Sequence, residues 1–443
     1  MGSIIKEKAE IQRKASASTE IQHRCIPVVN DVQVILENLE SSLSFMDCCI
    51  YKVPDRLRKL KEEDYTPKVI SIGPFHHYNG KLKNMEKLKF RYLKCFLKRV
   101  EGRQISVEDL VNTIMSHEES VRRCYAETIQ YDSDDFVKII LVDAIFILEL
   151  FCRFNGLACE DTGPSLELWL EVGIREDLSL LENQLPFFIL EVLFDKAFAP
   201  LPNYFQSFRA MTIDYFDFVS HRGMQSSVFQ INHFLDLLRT LWLPFEMFPA
   251  RPVSVPSVNH VPSATQLHMS GLVFKVGSSS SIGVIEYTDG ELRMPAIYFD
   301  KFTVRLYRNL LALEQCHYPD KAYVTDYFIL LGFLINTTED VNLLVQKGIL
   351  VNKLRNSDDA RDLVNSLVVN VVCADSISCD YEKIYNELNA LYDKSWKIPW
   401  DSWMETLRRE YFNTPWRTAS TFAAIILLVL TLLQTVYTVL PKK

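Results

Sequence analysis

The sequence predicts a mainly α protein: a multi-helix globular body with a small inserted antiparallel β-sheet, followed by one C-terminal transmembrane helix. Three observations predict it. Apolar residues recur at helical spacing through most of Arg24–Asn413, the spacing shortens to that of strands between Ala264 and Phe299, and a charge-free apolar run fills Ala419–Val439. The composition, 48% hydrophobic and 23% charged with 14 Gly and 18 Pro, supplies ample surface for a core and excludes a disordered or low-complexity chain. Ten Cys in 443 residues are too sparse for a disulfide-dense scaffold, and a net charge of −8 does not suit a chain that coats nucleic acid.

Residues 1–24 are polar and lack the apolar stretch of a secretory signal, and Lys6 stands where a myristoylation motif needs Ser or Thr; they read as a disordered tail. The body runs over 25–413. Val28, Val32, Ile35, Leu36, Leu39 and Leu43 predict a helix over Val28–Met46. Helices follow over 82–100 and 106–129, and the nearly all-apolar Phe136–Phe154 reads as a central buried helix, because flanking Lys138 and Arg153 argue against a membrane span. Leu185–Phe198 opens with Pro186 in its first turn, where a missing N–H costs nothing. Further helices are predicted over 230–241, 302–316, 321–336, 356–372 and 380–394.

The sheet is predicted from Leu272–Val276, Ser281–Tyr287 and Leu292–Phe299, with turns at Gly277–Ser281 and Asp289-Gly290. Before it, the Pro-rich stretch Pro249–Pro262 reads as an extended loop and the one candidate internal boundary. The membrane anchor is predicted over 415–440. Twenty-one uncharged residues at a helical rise of ~1.5 Å span ~31 Å, the thickness of a bilayer core, with Trp416 and Tyr437 near the ends. Arg408, Arg409 and Arg417 against Lys442 and Lys443 hardly orient it. A single glycosylation sequon, Asn336-Thr337-Thr338, and unpaired Cys spacing favour a cytosolic body at the plasma membrane or endoplasmic reticulum, with an extracellular body as the alternative.

Charge is uneven. From Tyr51 to Arg103 fifteen Lys and Arg stand against six Asp and Glu, so this segment carries +9 and the rest −17. On the 82–100 helix, Lys83, Lys87, Arg91, Lys94 and Lys98 share one side, opposite Leu82, Met85, Leu93, Phe96 and Val100. A solvated face is the ordinary meaning of such a stripe; contact with anionic lipid is the sharper one. Nucleic acid is not an expected partner, since no base-stacking platform accompanies the charge.

Catalytic motifs are scarce. There is no Gly-rich phosphate loop and no Gly-x-Ser-x-Gly elbow. His76-His77 is the most inviting pair, but adjacent side chains of an extended segment point apart and would not share a metal. No Cys spacing matches a zinc or dithiol motif, so buried small hydrophobes are their expected role. Glu118-Glu119 and Asp134-Asp135 read as helix-end charges. Glu182, Asn183 and Gln184 before Pro186 read as a capped helix junction rather than a catalytic group. No cofactor or metal is called for.

The segments IYKVPDRLR, YTPKVISIGPFHH and LKNMEKLKFRYL (Ile50–Leu93), VDAIFILELF, DLSLLENQLPFFILEVLF, RNLLALEQC and YFNTPWRTASTFAAIILLVLT, in this order, resemble the plant family of domain of unknown function 247. The resemblance covers 25–440, with small departures at Ala144-Ile145, Val304 and Arg355. It makes Pro54, Gly73, Pro74, His76, His77, Glu182, Asn183, Gln184 and Pro186 family-motif positions, with structural roles the expected ones. It implies a helical plant protein with a membrane tail and supplies no activity; some relatives are linked to recognition between pollen and stigma. The expectation is a membrane-tethered interaction or signalling protein, a non-enzyme with a protein partner. The alternatives are an enzyme using His76, His77 and Glu182, and a lipid-surface sensor using the basic helix face.

Overall fold

The computed structural model describes residues 48–395 apart from 104, 158–165, 199–206, 217–229, 244–259, 279–281, 283, 370 and 372–380, together with isolated positions 29, 32, 33, 426, 427, 430, 431 and 434. In chain order the helices are α1 (Lys83–Val100), α2 (Val107–Arg123), α3 (Ser133–Phe154), α4 (Leu168–Leu178), α5 (Phe187–Phe198), α6 (Phe208–Phe216), α7 (Phe234–Trp242), α8 (Ala264–Met269), α9 (Lys301–His317), α10 (Tyr323–Leu334), α11 (Thr338–Gln346) and α12 (Ser357–Val368), with a last helix over 381–395. The strands are β1 (Val273–Val276), β2 (Glu286–Thr288), β3 (Glu291–Met294), β4 (Ile297–Phe299) and β5 (Leu350–Asn352).

Helix α3 organises the first half. From Phe136 to Cys152 every residue but Lys138 is buried. A helix apolar on all sides must be surrounded, and α1, α2, α5 and α6 pack around it. Phe151 is the densest point, with ring centroids of Tyr215, Phe234 and Phe208 at 4.6, 5.6 and 5.8 Å. In the second half α9 takes the equivalent place, touching α4, α7, α10 and β4, while α12 packs on α10 and α11. Buried apolar residues from Cys49 to Leu388 form one contiguous cluster.

Helix starts follow from capping chemistry. Ser106 with Asp109, Asp300 with Thr303 and Thr337 with Asp340 close reciprocal capping boxes at α2, α9 and α11. Helix α10 begins after Ala322, which has no side chain to cap it. Glu314 of α9 supplies the cap: it accepts from Val324 N–H (3.1 Å), Thr325 N–H (2.8 Å) and the Thr325 hydroxyl (2.8 Å). Arg239 Nε donates to the same carboxylate from α7 at 2.9 Å.

The sheet differs from its expectation. It is mixed, not antiparallel: β3 lies between β1, to which it runs parallel, and β2, its antiparallel hairpin partner. The β2 strand starts at the end of the sheet where β1 stops, and β3 fills the position between them. The expected third run is cut at Pro295, which has no N–H to continue the ladder; its second piece, β4, pairs in parallel with β5, a strand the sequence did not announce. Asp289-Gly290 makes the expected turn, with φ of 51° and 78°. Helices α4, α6 and α8 were also unannounced, being short and weakly periodic.

Among the described residues no single helix is long and apolar enough to cross a membrane. The expected anchor over 415–440 lies outside them except for Ile426, Leu427, Leu430, Thr431 and Gln434, which are helical, with the Thr431 hydroxyl bonded to the Leu427 carbonyl at 2.7 Å. The tail over 1–24 and most of the Val28–Met46 helix and the Pro249–Pro262 loop also lie outside.

Replacing Glu314 by Ala uncaps α10 and leaves Arg239 buried without its carboxylate. A loss of about 3–5 kcal/mol is expected, read as a lowered urea midpoint of the full chain.

Candidate functional site

The segment Lys68–Pro74 crosses the interior without regular structure, and Ile70–Pro74 are buried. Buried peptide groups need partners, and here side chains provide them. The Asp177 carboxylate, at the end of α4, accepts from the N–H groups of Lys68 (3.0 Å), Val69 (2.6 Å) and Ile70 (2.9 Å). Asn183 Oδ1 accepts from Ile72 N–H at 2.7 Å, while its amide donates to the Ile70 carbonyl at 3.1 Å. Gly73 N–H donates to Asp143 of α3 at 2.8 Å. Arg305 of α9 donates to Asp177 (3.0 Å) and to the Thr66 carbonyl (2.6 Å).

Each polar residue of the Glu182-Asn183-Gln184 turn holds a different part of the chain. Glu182 accepts from Val53 N–H at 2.6 Å, from Arg58 and, through its second oxygen, from His76 Nε2 at 3.0 Å. Gln184 donates to the Leu178 and Leu180 carbonyls, both at 2.7 Å, and accepts from Phe234 N–H at 3.0 Å. Asn309 of α9 accepts from Leu181 N–H at 3.0 Å and donates to the Asp64 carbonyl at 2.9 Å. Pro54 precedes the single helical turn Asp55–Arg58 that aims Arg58 at Glu182, and Pro186 precedes α5. Gly73 has φ of 74°, and a Cβ there would meet the Gln184 carbonyl oxygen at 2.6 Å. Backbone conformation and close approach both demand glycine.

The two His residues lie in a turn over 75–78, not in an extended stretch, and they do part company. His76 meets Glu182; His77 turns to the rings of Tyr78 and Tyr131, with centroids at 5.4 and 6.2 Å. It also lines a cavity of about 60 Å³ with Tyr78, Glu86, Phe90, Asp135 and Asp143. Among the described residues no group of three His, Cys, Asp or Glu could hold a metal. On α1, Lys83, Lys87, Arg91, Lys94 and Lys98 are all exposed, and Phe90 stands exposed among them.

Burial and these bonds oppose one another in the ionisations. Burial pushes the Glu182 carboxyl up, but the hydrogen bonds from His76, Arg58 and Val53 outweigh it and hold the group below the usual carboxylate range. Burial raises Asp143 despite Lys89, whose ammonium lies 2.6 Å away and 2.7 Å from Glu86. His233, fully buried, accepts from Asp236 N–H through Nδ1 (3.2 Å) and donates to the Cys49 carbonyl through Nε2 (3.0 Å); burial holds it down at about 4. The sequence reading missed Asp143, Asp177, Lys89, His233, Arg305 and Asn309. For Asp143 a signal was available, as an acid inside the apolar run of α3.

Between pH ~6.5 and about 4 the unfolded chain binds a proton at residue 233 that the folded chain refuses, so stability falls as pH drops through that window, by up to about 3 kcal/mol. The lowered Glu182 acts below it: its contribution is full above pH about 4.5 and is lost as pH falls further. A His233→Gln chain should show a flatter urea midpoint between pH 6.5 and 4.5 than the natural chain. Gly73→Ala should cost about 2–4 kcal/mol in the same denaturation measurement.

Two Arabidopsis thaliana proteins are similar along nearly their whole length. UPF0481 protein At3g47200 is 28% identical over 425 residues, covering 89% of this chain and 86% of its own. Putative UPF0481 protein At3g02645 is 23% identical over 532 residues, covering 96% and 97%. No solved structure matches. Residues 50–430, which include the Lys68–Pro74 segment and the Glu182-Asn183-Gln184 turn, match the plant family described as a plant protein of unknown function, DUF247, and the chain belongs to that family.

Proposed function

We propose that this protein is a membrane-tethered recognition protein: a C-terminal span over 415–440 holds a cytosolic body, and the body binds a protein partner. The observation that carries the partner is the outer face where α4 begins. Leu168 is 76% and Trp169 65% exposed, with Val172 one turn on and Phe154 at the end of α3 exposed beside them. The Arg175 guanidinium over the Phe154 ring, 5.5 Å from its centroid, joins the two helices, and Glu167, Glu171 and Arg175 supply a polar rim. An aromatic-centred apolar patch with a charged rim is the anatomy of a protein-binding surface. By contrast Glu182 and His76, the most catalytic-looking pair, are engaged with each other and Glu182 also with backbone and Arg58.

A second reading has its own support. The five cations of α1 run along one side of the exposed Phe90, a combination suited to anionic headgroups, at ~1 kcal/mol per basic residue near a charged surface.

Leu168→Asp with Trp169→Ala should reduce capture of a specific partner from mildly solubilised plant membranes at least tenfold with unchanged folding; undiminished capture removes the α4 surface. For the second reading, Lys87→Glu, Arg91→Glu and Lys94→Glu in a fragment ending before Ala419 should abolish binding to phosphatidylserine vesicles, and persistence of binding ends it. Protease protection in sealed vesicles tests the orientation: a body digested only after lysis from the cytosolic side overturns it.

A further inference from the structure

Cys49 and Cys124 stand 75 positions apart in the chain, yet the fold lays them side by side. The N–H groups of Cys49 (3.0 Å) and Ile50 (2.9 Å) both donate to the Cys124 carbonyl, and Ala126 N–H donates to the Ile50 carbonyl at 2.9 Å. These bonds make Ile50 and Tyr125 partners in a parallel bridge. Cys49 and Cys124 are the residues just before that pair, so the bridge sets their backbones side by side. Adjacent paired segments run about 4.8 Å apart, inside the Cα separation of roughly 4.4–6.8 Å that a disulfide spans. Both residues are in the thiol form, 4% and 7% exposed. The two thiols are hydrogen-bonded to each other, and Cys124 Sγ also donates to the Ser120 carbonyl at 3.3 Å.

We propose that Cys49 and Cys124 form a modification site, closing into an intrachain disulfide when the body folds under oxidising conditions. The oxidant is a low-molecular-weight disulfide such as oxidised glutathione. One cysteine thiolate attacks a glutathione sulfur, forming a mixed disulfide and expelling one glutathione thiolate; the other thiolate then attacks the protein sulfur of that bond and expels the second. Two protein thiols are oxidised, one disulfide is reduced to two glutathione thiols, and the two protons given up by the protein thiols end on the expelled glutathione thiolates. The hydrogen bond between the thiols and their burial raise Cys49, so thiolate is scarce once the fold is complete. Closure therefore belongs to the folding chain. The product would fasten Cys48–Val53 to the end of α2, beside the Cys49 carbonyl that His233 holds and the Val53 N–H that Glu182 holds.

The test uses the full chain, reduced in denaturant and refolded into mild detergent with a reduced and oxidised glutathione mixture. Free thiols are then alkylated in acid and the peptides mapped by mass spectrometry. The expected result is one dominant cross-linked pair joining the peptides of Cys49 and Cys124, unchanged in Cys48→Ser and absent in Cys124→Ser. It should come with a raised denaturation midpoint that a reductant reverses. Dominant linkage of Cys48 to Cys49 or to Cys316, glutathione retained on Cys49, or both thiols alkylated in refolded natural protein would overturn it.

Discussion

Six residues, Lys68 to Gly73, cross the interior with no helix or strand to satisfy their peptide groups, and most of the first half is arranged to do it for them. A buried N–H without a partner forfeits about 1–3 kcal/mol, so Asp177, Asn183 and Asp143 must each sit within bonding distance of a particular peptide. Those three residues come from α4, from the turn after it and from α3. Their positions fix how these elements lie around the segment. Arg305 and Asn309 extend the arrangement into the second half by holding Thr66, Asp64 and Leu181 from α9.

Carboxylates in such surroundings are tolerable only when saturated with donors. Asp177 meets the requirement with three peptide N–H groups and a guanidinium. Glu314 and Asp340 follow the same rule at the α10 and α11 starts, Asp340 also gathering Thr265 of α8. A repeated device emerges: a buried acid on one element caps or clamps the backbone of another. Interior polarity thus serves shape, and the features suited to meeting other molecules stand on the outer faces of α1 and α4.

The fold was legible where a pattern was long. Phe136–Phe154 could only be a central helix, and the even spacing of Lys83, Lys87, Arg91, Lys94 and Lys98 placed them on solvent. The sheet was half legible: alternation announced strands and Asp289-Gly290 announced a turn, but pairing direction depends on which strand fills the middle, a long-range choice with no local trace. The Lys68–Pro74 segment and the turn that holds it were legible only as two suggestive phrases, SIGPFHH and LENQLP. That Asn183 would reach Ile72, 111 positions away, and Arg305 Thr66, 239 away, depends on the whole chain being folded. Lys89 was hidden among other lysines of one helix, because type alone does not tell a buried ammonium from a solvated one.

The reach of α9 also has a consequence for the order in which the protein can be made. A ribosome synthesises α1 to α5 long before Arg305 and Asn309 leave it, so for more than a hundred residues of elongation Asp177 has its peptide partners but no guanidinium. The loop from Asp64 to Leu181 meanwhile lacks its clasp. A nascent first half therefore has an apolar α3 and an unfinished set of buried charges, a condition in which partly folded chains aggregate or are held by chaperones. Maturation is postponed to the moment α9 emerges, and a premature stop codon anywhere before it would yield a chain unable to complete its own interior.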